Sequence, residues 1–275
     1  MTAEFTLPSG ARVQMRGMKV GHMIGRKDRD SDTLNLLKEC TVAVLPPLPD
    51  EEHPAPINPY PNGLTDWKSA TDFDILVGVI GMRYATYPDQ PYILSMKCPS
   101  CRRTIPGENT TVNVRQVLDD FVIPMPDESI RAFVNGNRLP ARIGQHNIEI
   151  RFTTGEVGML DPEETPIEAL ATRILSFDGA TEQKDIVAAL IDMDLGTMDE
   201  LLRFLEEAGG GVHDTMDVVC PNEVPVVGST TGQTRPCGWA GEAKVPFLVS
   251  AFLFPYERGR VSRMMGRTRA ARRKR

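Results

Sequence analysis

No stretch of the 275 residues approaches the ~18 uninterrupted apolar positions that a membrane-spanning helix needs, so a helical span is excluded. Met1 to Leu7 lack a basic segment followed by an apolar run, which argues against a signal peptide. There is no glycine-rich phosphate loop ending in Lys-Ser/Thr, no dinucleotide fingerprint in a βαβ pattern and no Gly-x-Ser-x-Gly elbow. The four histidines (His22, His53, His146, His213) lie far apart, none in a metalloprotease pattern. Acidic pairs such as Glu163-Glu164 and Glu206-Glu207 fall at expected helix ends, where solvation and the helix dipole account for them. With no catalytic centre legible, an enzyme is not expected. Five cysteines are too few for a disulfide scaffold, and the odd count fits one poorly. A reducing compartment is expected, where clustered cysteines more often hold metal.

Hydrophobic residues make up 41% and charged residues 25%, ordinary soluble usage that leaves room for one or two domains. The formal charge of −6 hides an asymmetry. Nine basic residues (Arg258, Arg260, Arg263, Arg267, Arg269, Arg272, Arg273, Lys274, Arg275) close the chain with no acid among them. Setting those nine aside leaves 22 basic and 37 acidic residues in 1–257, a body charge of −15. Such a block is either a solvated tail that folds back on the acidic body or an arm ordered against an acidic partner, protein or nucleic acid. The negative body disfavours nucleic acid, and the scattered aromatics provide no stacking platform.

Patterning predicts a hairpin over 4–17 around Pro8-Ser9-Gly10, with Phe5, Leu7, Val13 and Met15 on its covered face. A helix is expected from Asp32 to about Val44, with Leu34, Leu37 and Val42 on one side and Cys40 as a small buried hydrophobe. Seven prolines between Pro46 and Pro61 demand a stiff extended connector. Thr71 and Asp72 can cap a deeply packed helix carrying Phe73, Ile75, Leu76, Val79, Ile80 and Tyr84. A strand is expected at Tyr92–Met96, and β character over 110–157, including Val112, Val114, Val117, Ile130–Val134, Ile148 and Ile150. Helical signals dominate 161–208: a start at Asp161-Pro162 with a stripe of Ile167, Leu170, Ile174 and Leu175; a second helix with Ile186, Val187 and Leu190; and a third from a capping box at Thr197–Glu200.

Cys98-Pro-Ser-Cys101 leaves a strand for a turn, the geometry in which two thiolates converge on one metal. Cys220-Pro221 and Cys237-Gly238 look like the two ends of a Cys-Pro-x-Cys-Gly knuckle split by a long insert, whose Gly228–Gly232 run has the composition of a mobile loop. Four thiolates from Cys98, Cys101, Cys220 and Cys237 would make a closed, structural zinc site, with an iron–sulfur cluster, free thiols or a disulfide as the competing readings. His213, after a glycine run, is an ordinary loop histidine in preference to a ligand. The apolar stretch with Phe247, Phe252, Phe254 and Tyr256, just before the basic arm, reads as a core strand, as an interface anchor, or as both on alternate faces.

In order, these features resemble the baseplate hub and tail-assembly proteins of contractile-tailed bacteriophages. The carriers are the Thr6-Leu-Pro-Ser-Gly10 hairpin with Val13–Arg16, Leu34–Val42, Thr71–Asp74, the Cys-Pro-x-Cys knuckle, and Cys237-Gly-Trp239 leading to Val245-Pro-Phe247. The resemblance implies a non-enzymatic virion component in the inner baseplate, contacting hub, wedge or tube subunits, or else a transient assembly chaperone made in the bacterial host cytoplasm. It carries Cys98, Cys101, Cys220 and Cys237 over as metal ligands and nothing catalytic. A nucleic-acid-binding zinc ribbon is the remaining alternative, and no membrane partner is expected. The expected architecture is α+β with a four-cysteine clamp joining the middle of the chain to its C-terminal region. Its parts are 1–97, a hairpin plus helical domain with the connector 46–61; 98–257, a zinc-ribbon/β domain with a helical insertion at 161–208; and 258–275, a basic arm whose side chains, with the four aromatics, are the expected interface.

Overall fold

The computed structural model describes residues 2–19, 30–49, 55–64, 66–155, 165–226, 233–247 and 252. In chain order the first elements are β1 (Thr2–Thr6), β2 (Arg12–Arg16), α1 (Asp30–Cys40), β3 (Thr41–Leu45), α2 (Asp72–Thr86), β4 (Tyr92–Ile93) and β5 (Thr111–Val112). Next come α3 (Val114–Asp120), β6 (Val122–Ile123), α4 (Asp127–Val134), β7 (Leu139–Ile143), β8 (His146–Ile150), α5 (Pro166–Thr172) and β9 (Ile174–Phe177). The last are α6 (Gln183–Asp192), α7 (Leu195–Gly209), β10 (Gly211–Val212), β11 (Thr215–Val219), β12 (Glu223–Pro225), β13 (Thr234–Pro236) and β14 (Ala240–Lys244). The fold is α+β, as expected.

The chain divides into two compact units, each built from two separated segments: Met1–Thr86 with Gln116–His213, and Tyr87–Arg115 with Asp214–Arg275. These limits differ from the sequence-based ones, which placed 98–257 in one domain around an insertion at 161–208. Backbone hydrogen bonds show why 116–213 joins the N-terminal segment. Met125 N donates to Pro8 O (2.7 Å), Asp72 N to Thr153 O (3.1 Å) and Gly155 N to Ala70 O (3.1 Å).

In the first unit β1 and β2 form the expected hairpin, pairing Thr2 with Arg16 through Thr6 with Arg12. Strand alternation buries Ala3, Phe5, Val13 and Met15. The helix forecast to Val44 ends at Cys40, because the β-branched run Thr41-Val-Ala-Val pairs with β2 instead. Val42 is consequently a strand residue, 51% exposed, and not part of a helical apolar face. Cys40 is buried.

The α2 helix is capped by Thr71, whose Oγ1 accepts from Asp74 N (3.2 Å). A Cβ at Gly81 would lie 2.0 Å from the Phe5 ring, and one at Gly78 2.6 Å from the Trp67 indole. The two glycines let the hairpin and Trp67 lie flush on the helix. Asp74 is fully buried behind the hairpin turn: its Oδ1 accepts from Ser9 N (3.1 Å), and its Oδ2 accepts from the Tyr60 hydroxyl. Burial raises the Asp74 pKa, opposed by hydrogen bonds from Tyr60, Ser9 and Thr71. Burial, and next the nearby Asp74 charge, hold the Tyr60 hydroxyl well above its usual range.

Further along this unit, β7, β8 and β9 form an antiparallel meander. Ile143, Ile148, Ile150, Ile174 and Phe177 from the sheet share one core with Ile186, Leu190, Leu201 and Leu205 from α6 and α7. Several expectations yield here. Residues 114–120 and 127–134 are helical instead of extended: Asn113 Oδ1 accepts from Arg115 N (3.0 Å) to open α3, and Pro126-Asp127-Glu128 opens α4. Ile174 and Leu175 leave the forecast helix for β9, since the capping box is Thr165 with Glu168 and the helix closes at Thr172. The start forecast at Asp161 lies outside the described residues. The α7 cap is Asp194, whose Oδ1 accepts from Thr197 N (3.0 Å), so Thr197 sits inside the helix it was expected to cap.

In the second unit, β4 pairs with β5 and β11 with β14, over a core of Tyr92, Leu94, Ile105, Val112, Val218, Val245, Phe247 and Phe252. The strand forecast over Tyr92–Met96 shrinks to two residues as the chain turns into the first cysteine knuckle.

Two outcomes follow for the first unit. Gly81→Ala overpacks the Phe5 contact and lowers stability by about 1–3 kcal/mol, read from the urea midpoint. Because the native Asp74 holds its proton more tightly than the unfolded chain does, its contribution is complete below the ordinary carboxyl pKa of about 4 and is lost as pH rises through the native value. Asp74→Asn flattens that pH dependence in urea unfolding at stepped pH.

Candidate metal centre

Both knuckles lie in the second unit, one on each of its chain segments. In the first, Lys97 and Thr104 pair as a bridge, Cys98 N donates to Arg103 O (2.9 Å), and Arg102 N donates to Cys98 O (2.8 Å). The turn closes because Arg102 adopts a left-handed backbone, φ 61°. The second knuckle repeats these bonds across its split. Cys220 N donates to Trp239 O (2.8 Å), and Gly238 N donates to Cys220 O (3.2 Å), with Gly238 at φ 64°. Arg102 and Gly238 each follow the second cysteine of a knuckle, so the correspondence is residue for residue.

The split is closed by a hairpin. Strands β12 and β13 pair Glu223 with Pro236 through Pro225 with Thr234, and Cys237 N donates to Asn222 O (2.7 Å). Residues 223–226 and 233–236 run side by side in opposite directions, so Asn222 meets Cys237 as a neighbour would. Part of the insert forecast as loop is therefore regular structure, while 227–232 lie outside the described residues. Arg103 Nη1 donates to Glu223 O (2.6 Å) and Asn222 Nδ2 to Thr104 O (3.0 Å), tying the hairpin base to the first knuckle.

The four sulfurs converge. Cys98 Sγ lies 3.8 Å from Cys237 Sγ, Cys101 Sγ lies 3.7 Å from Cys220 Sγ, and all four fall within 4.8 Å of one another. A tetrahedron of thiolates around an ion at about 2.3 Å has edges of about 3.8 Å, so the donor set fits a four-coordinate metal. A disulfide would need about 2.05 Å, and none of the five cysteines is in one. Among the described residues these four are the only such donor cluster. A metal held here would crosslink the two segments of the unit, and the four protein ligands leave no position for substrate.

Amide donors face the sulfurs. Cys101 N reaches Cys98 Sγ at 3.5 Å. The matching donor of the split knuckle, Cys237 N, is diverted to Asn222 O. Asn222 replaces it: its backbone N–H bonds the Cys220 sulfur, and its Nδ2 reaches the same atom at 3.4 Å. Burial pushes the Cys220 thiol up to about 11, against the pull of Asn222. The Trp239 backbone N–H, helped by the Ser100 hydroxyl, brings Cys237 down to about 7. A metal bound here would displace the protons that remain.

The structure thus brings together all four cysteines named from sequence. Phe247 and Phe252, offered as interface residues, are 3% and 0% exposed. Their rings meet edge to face at 5.3 Å, and Phe252 meets Tyr92 at 5.0 Å, so they belong to the core of the unit and not to its surface. Phe254, Tyr256 and Arg258 to Arg275 lie outside the described residues. His213 donates its backbone N–H to Phe121 O and is no part of the cluster. Asn222, Ser100 and Arg102 were missed. Only Arg102 left a signal, standing where Gly238 stands in the second knuckle.

Gly238→Val forces a β-branched residue into the left-handed region and weakens metal retention, whereas Arg102→Gly keeps it. Asn222→Ala removes a sulfur donor and speeds metal loss to a chelator about tenfold, on the 10–100-fold scale of outer-shell substitutions. Timed chelator competition measures all three. Comparison of the chain with protein-family models, with curated proteins and with solved structures finds no match in any of the three.

Proposed function

We propose that the protein is a non-enzymatic structural component of a contractile phage tail baseplate, an inner-baseplate or hub adaptor, and that its four thiolates hold one zinc ion. The observation that carries this reading is the closed four-sulfur cluster, built from one intact and one split knuckle. Four-thiolate closure supports a structural role over a catalytic one, and a tetrahedral sulfur set suits zinc. The Leu7-Pro-Ser-Gly10 hairpin, the Cys98-Pro-Ser-Cys101 knuckle and Cys237-Gly-Trp239, in that order, carry the resemblance to baseplate hub and tail-assembly proteins on which the reading rests.

Zinc stabilises the second unit, whose apolar core is small and comes from segments nearly a hundred residues apart in sequence. The basic arm from Arg258 to Arg275 serves as the element that joins neighbouring subunits of the assembly.

Truncation after Tyr256 should block particle assembly while leaving the urea unfolding of the protein unchanged; normal assembly by the truncated chain would contradict the role given to the arm. Mass spectrometry of purified particles should find the chain at fixed stoichiometry. Its absence from finished particles would replace the structural reading with that of an assembly chaperone.

A further inference from the structure

Helix α7 carries more apolar residues than its core contact uses. Leu201, Leu205 and Ala208 are buried, with Met198 and Phe204 packed beside them. That set completes a face at the i, i+3, i+4, i+7 spacing. Leu195 and Leu202 are left over, 84% and 43% exposed. Seven residues apart, they fall on one line of the helix together with Asp199 and Glu206, both exposed. The outer line thus reads Leu195, Asp199, Leu202, Glu206, alternately apolar and acidic. It lies in a strongly acidic part of the first unit: residues 182–207 hold eight acidic side chains against Lys184 and Arg203, and Arg203 is paired with Glu207 (3.8 Å).

The complement of this stripe is written in the same chain. Residues 258–275 hold nine basic side chains and no acid, with Val261, Met264 and Met265 among them. Arg260 and Arg267 are seven apart, as Asp199 and Glu206 are, with Met264 between them as Leu202 lies between the two acids.

We infer that the outer stripe of α7 is the docking surface for the arginine-rich arm of a second copy of this chain. The inference rests on reading the arm as an intersubunit element, and it names the surface that receives it. The leucines offer the stripe's apolar contact, and Asp199 and Glu206 its charge opposite to that of the arm.

Sedimentation of the full-length protein tests this. At about 0.05 M salt the chain should self-associate, and at about 0.5 M, where exposed charges are screened within a few ångströms, the association should weaken at least tenfold. Leu195→Ala with Leu202→Ala, at exposed positions that leave the fold intact, should weaken it about tenfold. The double reversal Asp199→Lys with Glu206→Lys should abolish it, and adding Arg260→Glu with Arg267→Glu in the same chain should restore it. A chain that stays monomeric at low salt, or association that the α7 substitutions leave unchanged, would overturn the inference. Neither result would touch the zinc reading or the effect of truncation on particle assembly, which are measured separately.

Discussion

Four sulfur atoms from two distant stretches of chain must occupy one small volume, and most of the second unit is arranged to meet that demand. Cys98 and Cys101 arrive on one segment, Cys220 and Cys237 on the other, and 118 residues separate Cys101 from Cys220. Thiol desolvation and chain entropy both oppose the convergence. Against them stand the paired backbone bonds of the two knuckles and, on metal binding, four metal–sulfur bonds. Sulfur separations of 3.7 and 3.8 Å, with all four sulfurs within 4.8 Å of one another, match the spacing that a four-sulfur metal site needs.

The split knuckle shows how an insertion is tolerated inside such a motif. Its hydrogen bonds to Cys220 and Trp239 match those to Cys98 and Arg103. The extra residues leave and return as an antiparallel pair, so the ends stay adjacent. What the insertion disturbs is one amide donor, Cys237 N, and the Asn222 carboxamide stands in for it. The first unit follows another logic, in which glycines on α2 admit large rings and a buried carboxylate pins the hairpin turn to that helix.

The metal centre was legible because metal-ligand spacing is a local signal on one side and a Pro/Gly pattern on the other. The hairpin 2–16 was legible because its alternation and turn residues agree. The failures have two causes. Val114, Val117 and Ile130 favour strands by propensity, yet Asn113 and Pro126-Asp127 start helices there. Ile174 and Leu175 fit a helical stripe, yet the free edge of β8 captures them. Local start signals outweighed strand propensity in the first two cases; a tertiary partner decided the third, and only that partner is invisible within a window of sequence. For Phe247 and Phe252 both a core and an interface reading stood open, because composition alone does not separate an interface from the core of a small unit; their burial favours the core.

The geometry around the cysteines is the claim on which the architecture of the second unit stands. X-ray absorption on the purified full-length protein, combined with elemental analysis, addresses it directly. One zinc per chain with four sulfur neighbours at about 2.3 Å is the expected result. A first shell containing nitrogen or oxygen, or less than one metal per chain after zinc-replete expression, would contradict it.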